Sequence, residues 1–278
     1  MTDRIPTTHA GSLPRPPALA DLMVERESGE LAEADAASMP AAVRDAVAAV
    51  VRRQAETGID VVSDGEMSKI GYSTYVKERL TGFDGPPGAL SLADLDDHPG
   101  LAERSLAGLV TGMPSCTGPI RYVGQEPLRQ DLENLRAALC GVDVSAAFVP
   151  AASPGVISVF LGDAHHGGEE AYLAALASAM REEYEAIVAA GFLLQIDSPD
   201  LAMGRHLLRD LSVEDFRRVA ARRVEALNEA LSPARGQRTV AEMTDPNADL
   251  PALELTVLAS SGGRASGYLL SGLPAGPL

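Results

Sequence analysis

Three carboxylates in this chain stand where acids can meet a ligand. Asp64 and Glu66 lie in Asp64-Gly65-Glu66, and Asp197 lies in Gln195-Ile196-Asp197-Ser198-Pro199. Each follows directly on a short run of β-forming residues, and in parallel α/β folds the carboxyl ends of the strands gather binding groups on one rim. Three acids on one rim suit a cationic group, and an amino-acid ammonium is the natural small-molecule case. A third junction, Thr7-Thr8-His9-Ala10-Gly11-Ser12-Leu13-Pro14-Arg15-Pro16, reads as a strand entering a tight turn. Gly11 lacks the Cβ that would block close approach, and Pro14 and Pro16 bar the segment from continuing as helix. Its backbone amides can grip an anion such as a carboxylate. The expected binding set is therefore Gly11, Ser12, Glu66 and Asp197, converging on one pocket, with His9 and Asp64 as further rim candidates.

Other residue types carry less. His165-His166 precede Gly167-Gly168 in a polar stretch, and with Asp163 they could bind a metal, but sequence neighbours do not project alike and a solvated loop is the expectation. His98 and His206 are isolated. Cys116 and Cys140 have no ligand partner at metal-binding spacing and read as small packing residues. No phosphate-binding glycine motif and no Gly-x-Ser-x-Gly elbow is present.

Elements able to position these groups alternate between short β-rich runs and long amphipathic helices, the pattern of a parallel sheet wrapped by helices. Strands are predicted at 7–12, 59–63, 115–120, 147–152 and 192–197. Val43, Val47, Val50 and Val51 recur at helical spacing over 41–57 before Gly58, and Leu173, Leu176, Met180, Ile187 and Val188 do so over 169–190 before Gly191. Ser212 and Asp215 form a capping-box pattern opening a helix through Asn228. From about residue 231 the chain changes in kind. Pro233, Pro246, Pro251, Gly262-Gly263 and Pro274 punctuate it, so an irregular tail is expected over 231–278, with only 253–259 capable of a strand. The tail has no His and no Cys. This divides the chain into a barrel-like domain, 1–230, and the tail, 231–278.

The 278 residues carry 23 Lys+Arg against 39 Asp+Glu, a formal charge of −16. Such a balance repels nucleic acid and anionic membrane surfaces and favours a small-molecule partner. Two cysteines are too few for a disulfide framework, and with no signal-peptide pattern or membrane-length apolar run the chain reads as cytoplasmic. Oligomeric state is not legible.

Five motifs in order carry a resemblance: Thr7-Thr8-His9-Ala10-Gly11-Ser12-Leu13-Pro14-Arg15, Asp60-Val61-Val62-Ser63-Asp64-Gly65-Glu66, Cys116-Thr117-Gly118-Pro119-Ile120, Phe148-Val149-Pro150-Ala151-Ala152-Ser153-Pro154-Gly155 and Leu194-Gln195-Ile196-Asp197-Ser198-Pro199-Asp200-Leu201. Together they resemble the short, single-barrel relatives of the cobalamin-independent methionine synthase C-terminal domain. The resemblance implies a (β/α)8 TIM-barrel type, here incomplete with about five β/α units recognisable. It implies a zinc-dependent methyltransferase that moves a methyl group from a 5-methyltetrahydrofolate-type donor to the thiol of homocysteine. The Gly11-Ser12 turn would hold the substrate carboxylate, and Glu66 and Asp197 its ammonium.

The family's zinc ligands, a His-x-Cys pair, a Glu and a later Cys, find no counterpart in this sequence, so zinc is implied by resemblance while its ligands are expected to be missing. The chain therefore reads as truncated or frame-shifted near 231, and tight zinc binding is not expected of it. Two alternatives stay open: alkyl transfer to another small thiol of the coenzyme M type, and a catalytically inert truncated barrel.

Overall fold

Gly58 stops a long helix with φ +82, a left-handed conformation that favours glycine, and the chain turns directly into the sheet. The computed structural model describes residues 5–87, 100, 113–202, 208 and 210–231, together with the backbone of 257–261 and 264–267. Strands β1 (Val61–Ser63), β2 (Ala146–Ala152), β3 (Leu193–Asp197) and β4 (Val257–Ser261) lie side by side and parallel, and β5 (Arg264–Gly267) folds back antiparallel on β4. Register runs from Val62↔Ala147 through Val149↔Leu194 to Asp197↔Leu258. The 7–12 run contributes one parallel bridge, Thr8↔Val61, rather than a strand.

Among the described residues six α-helices flank the sheet: α1 (Pro17–Ser28), α2 (Glu33–Glu56), α3 (Gln125–Ala138), α4 (Pro154–Phe160), α5 (Glu169–Ala189) and α6 (Val213–Leu231). Helix α2 packs against α1 and α3, and α5 against α4 and α6. Most of each predicted stripe is buried: Val43, Val47 and Val51 from α2 share one core with Leu176, Met180 and Ile187 from α5 and with Val149 and Ile196 of the sheet, while Val50 and Val188 are half-buried. Burial of each such side chain contributes about 1.5–3 kcal/mol. Helix α2 starts at Glu33 rather than at 41, running through Pro40. Met39 is buried on the same face as Val43 while Pro40 points outward, so packing overrides the helix-breaking preference. The Ser212–Asp215 capping box forms, with Asp215 N–H donating to Ser212 Oγ at 3.1 Å.

One predicted strand is corrected. Residues 115–120 lie outside the parallel sheet, and β1 pairs with β2 directly. Their partners are antiparallel neighbours upstream: Thr117 N–H donates to Gly82 O at 2.8 Å, Gly85 N–H to Ser115 O at 3.1 Å and Thr81 N–H to Arg121 O at 2.9 Å. Gly82 permits this, because a Cβ there would stand 2.6 Å from Gly118 O. Gly118-Pro119 breaks the β run, and Pro119 has no N–H for a sheet ladder. What stands is an α/β fold with a small, mainly parallel sheet. The region expected to be irregular from 231 onward also holds β4 and β5, and β4 overlaps the segment 253–259 judged capable of a strand. Pairing on β3 supplies what the local pattern lacked, since an open strand edge is a template for another.

A buried ionic knot joins the helical layer to the sheet. Arg79 contacts Asp131 of α3 at 2.6 Å and Glu183 of α5 at 3.3 Å, all almost fully buried. Tyr75 and Tyr122 hydroxyls donate to Glu183 at 2.6 and 2.9 Å. Tyr75 also accepts the Ala152 N–H at 3.3 Å, and Tyr184 donates to Ala152 O at 2.6 Å. Burial alone would pull Arg79 down, but Glu183 and Asp131 outweigh it and hold the guanidinium above its ordinary pKa. Removing the cation leaves two buried carboxylates uncompensated, so Arg79→Met is expected to lower stability by about 3–5 kcal/mol in urea denaturation. A loss below about 1 kcal/mol, the value of an exposed pair, would show that the knot is not closed to solvent.

Candidate functional site

The end of β1 is fixed before any ligand arrives. Gln54 of α2 brackets Ser63, donating to Ser63 O at 2.7 Å and accepting from Ser63 N–H at 3.1 Å. Beyond it Asp64 Oδ1 accepts the Glu66 N–H at 2.9 Å, an Asx turn that throws Gly65 and Glu66 into left-handed conformations with φ 65 and 58. Glu66 is the one non-glycine residue with positive φ among those described. Holding it there costs of order 1–3 kcal/mol, and such strain gathers at binding sites. A Cβ at Gly65 would press on Met67, Leu13 and Val50, so the turn is also tightly packed.

The N-terminal turn docks onto this corner. Leu13 N–H donates to Gly65 O at 3.1 Å, Arg15 donates to Glu66 O at 2.8 Å and also to Lys69 O, and Ser12 Oγ donates to Glu66 Oε2 at 2.5 Å. Glu66 is buried, and its second oxygen, Oε1, is buried with no hydrogen-bond partner among the described residues. Gly11, with φ 76, is exposed beside Ser12, with open space where a Cβ would stand.

At the end of β3, Asp197 accepts a bond from Gln195 Nε2 at 3.0 Å, and its backbone carbonyl takes the Ser153 N–H at 3.0 Å. Burial first, and then the nearby Glu66 charge, push its carboxyl up to about 7. Burial likewise raises Asp64 to about 6, against the pull of Lys69. The structure thus brings Ser12, Asp64, Glu66 and Asp197 into one electrostatic neighbourhood.

His9 sits elsewhere, lining a groove between the N-terminal turn and α2 with Arg15, Arg53 and Thr57. Sequence reading missed Lys69, Arg15, Tyr72 and Asp200. Lys69 is buried, donates to Pro150 O and stands 4.3 Å from the Tyr75 ring centre. Burial, then Asp197, Asp200 and Glu66, raise the Tyr72 hydroxyl to about 12. Asp200 accepts from Ser198 and sits beside Ser153 and Arg223. Acid residues at strand ends were legible as a pattern; the cations that face them come from a turn and carry no periodic signal.

The zinc that the resemblance implies does not fit this rim. Among the described residues the rim presents carboxylates, an ammonium and a guanidinium, a donor set for an organic ammonium rather than for a thiolate-binding zinc. The group of metal-capable side chains that does converge, among those described, is Cys116, Asp163 and His166. This corrects the reading of Cys116 as a residue without a ligand partner and of His166 as solvated: a parallel bridge between Cys116 and Asp163 joins segments distant in sequence. His98 and His206 lie outside the described residues. No helix among those described is long and apolar enough to cross a membrane.

The acids Asp64 and Asp197 thus stand at or just beyond the carboxyl ends of β1 and β3, the edge at which parallel α/β sheets commonly bind ligands. Residues 5–85 match the family model described as the cobalamin-independent synthase, catalytic domain. A methionine synthase of Sulfolobus acidocaldarius is 41% identical over 86 residues, covering 30% of this chain and 24% of that protein. One from Thermococcus kodakarensis is 39% identical over 79 residues, 28% of this chain and 23% of that one. The matched stretch thus spans about a quarter of these relatives. A B12-independent methionine synthase from Shewanella sp. W3-18-1, solved in complex with selenomethionine, superposes with TM-score 0.59 at 22% identity, over 81% of this chain and 57% of that one.

The raised acids set a pH dependence. The folded chain keeps protons on Asp64 and Asp197 that the unfolded chain has released above an ordinary carboxylate value of about 3.9. Their contribution to stability therefore falls as pH rises from about 4 to about 7 and is flat beyond. Asp197→Asn, followed by chemical denaturation across that window, should flatten part of the decline; an unchanged slope would mean that Asp197 is not held protonated by burial.

Proposed function

We propose that the corner formed by Ser12, Glu66 and Asp197 binds the amino-acid end of a small thiol, with homocysteine as the leading case, and that the site serves methyl transfer to its sulfur from a 5-methyltetrahydrofolate-type donor. The observation that carries this reading is the buried, unpartnered Oε1 of Glu66 beside a second buried carboxylate. Leaving a buried carboxylate oxygen unpaired is costly, and an incoming ammonium supplies the missing donor with a charge-assisted bond. Both local cations direct donors to backbone carbonyls, Lys69 to Pro150 O and Arg15 to Glu66 O and Lys69 O, which leaves the carboxylates able to accept from a ligand. The amides at Gly11 and Ser12 take the ligand carboxylate.

Held at both ends of its α-carbon, the ligand points its side-chain sulfur away from the acids. In the transfer the sulfur–methyl bond forms as the donor's nitrogen–methyl bond breaks, and the thiol proton passes to the donor. The chain's own contribution is orientation, which converts a two-body encounter into a positioned one. The methionine synthases to which part of this chain is similar, and the selenomethionine bound in the Shewanella enzyme, support an amino-acid ligand. The sheet is read here as part of a TIM-barrel type of fold, as the sequence resemblance implies. A sulfonate thiol of the coenzyme M type has no ammonium for Glu66 and Asp197 to meet.

Titration calorimetry with L-homocysteine and L-methionine near pH 8 tests the reading. Glu66→Gln and Asp197→Asn are each expected to weaken binding about 10–100-fold, the worth of one bond to a charged group. Affinity should also rise with pH through about 7 as Asp197 ionises. Equal binding of coenzyme M, or affinity indifferent to both substitutions, would overturn the assignment.

A further inference from the structure

The Cys116, Asp163 and His166 side chains have no part in the transfer proposed above. Their ligand atoms, one sulfur, one oxygen and one nitrogen, all fall within 4.8 Å of one another. Cys116 is fully buried, and the side chains of Asp163 and His166 are each 14% exposed. The backbone builds the placement: Cys116 N–H donates to Gly162 O at 2.7 Å, and Ala164 N–H donates to Cys116 O at 2.8 Å. Asp163 Oδ1 accepts the His165 N–H at 3.1 Å, and both its oxygens accept the His166 N–H at 3.1 Å, which holds the carboxylate facing the ring. The His166 ring lies against Tyr172, centroids 5.5 Å apart.

Two arrangements could explain a Cys–His–Asp grouping. A nucleophilic relay needs the two imidazole nitrogens to face different partners, one the thiol and one the carboxylate. Here a single atom faces both: His166 Nδ1 is 2.9 Å from Asp163 Oδ1 and 3.9 Å from Cys116 Sγ. That is unsuited to a relay and close to the layout around a shared ion, since bonds of about 2.0–2.3 Å in a tetrahedron put ligand atoms roughly 3.3–3.8 Å apart.

We propose that Cys116, Asp163 and His166 form a binding site for a divalent d-block cation of the zinc type. These are not the ligands the family resemblance implies, and the proposal does not depend on the methyl-transfer reading. On binding, the thiol gives up its proton to solvent, the imidazole coordinates through the Nδ1 lone pair with its proton on Nε2, and one carboxylate oxygen completes the set. One thiolate and one carboxylate balance the dication, so the loaded site is neutral and suited to its burial. Three protein ligands leave one tetrahedral position for water or a small exogenous thiol.

The full-length chain, reduced and stripped with chelator, is titrated with Co2+ and then with Zn2+. One equivalent of cobalt should produce a thiolate-to-cobalt charge-transfer band in the near ultraviolet, which one equivalent of zinc abolishes. Cys116→Ser should remove the band, and Asp163→Asn and His166→Ala should each weaken zinc affinity by about 100-fold or more, beyond the 10–100-fold expected of a residue that only orients a ligand. Cys140→Ser, which alters the exposed second cysteine, should change neither readout. Circular dichroism of the apo variants separates lost ligands from lost folding. Should Cys116→Ser fail to fold, His166→Ala decides on zinc affinity alone. No band with wild type, a band that depends on Cys140, or zinc affinity unchanged in His166→Ala would overturn the site.

Discussion

Glu183 is the constraint on which much of this structure depends. A fully buried carboxylate in the middle of a helix cannot be left alone, and it is met by Arg79 and by two tyrosine hydroxyls from separate segments. Because Arg79 also reaches Asp131, the knot ties α3 and α5 to the turn that follows the rim. Tyr75 extends it to the carboxyl end of β2 through Ala152 N–H, while Lys69 stands over the same ring. Charge neutralisation in the helical layer and placement of the rim are therefore one network rather than two.

The rim shows the opposite policy. Where Glu183 accepts from three donors, Glu66 is buried with one oxygen bonded to Ser12 and the other without a partner among the described residues, on a backbone held in a left-handed turn. Local strain and an unmet acceptor at the same residue mean that the fold bears a cost there which a ligand can relieve. The raised Asp197 fits the same picture, since burial and the Glu66 charge both disfavour its ionised form until a cation arrives.

The antiparallel excursion between β1 and β2 adds a second chemical neighbourhood. By leaving the sheet, residues 115–120 free β1 to pair with β2 and carry Cys116 to the loop that follows α4. A cysteine and a His-containing loop far apart in sequence thereby share one buried corner, and the proposed cation site is a product of that detour.

Local chemistry written in the sequence was enough to determine the cores of β1, β2 and β3, the valine stripe of α2, the leucine and isoleucine stripe of α5, the Ser212 cap and the acids at the strand ends. Each of these rests on spacing or on neighbours within a few residues, and such interactions act before the chain has closed on itself. The start of α2 across Pro40, the desertion of the sheet by 115–120, the pairing of β4 on β3, the Lys69 and Arg15 contacts and the convergence of Cys116 with His166 were decided only by tertiary structure. All of them depend on which distant surfaces meet: Met39 is pulled into the core with Val43, Gly82 admits the Gly118 carbonyl, and an open β3 edge accepts whatever strand can reach it. Periodicity records which face of an element is apolar, but not which other element will cover that face.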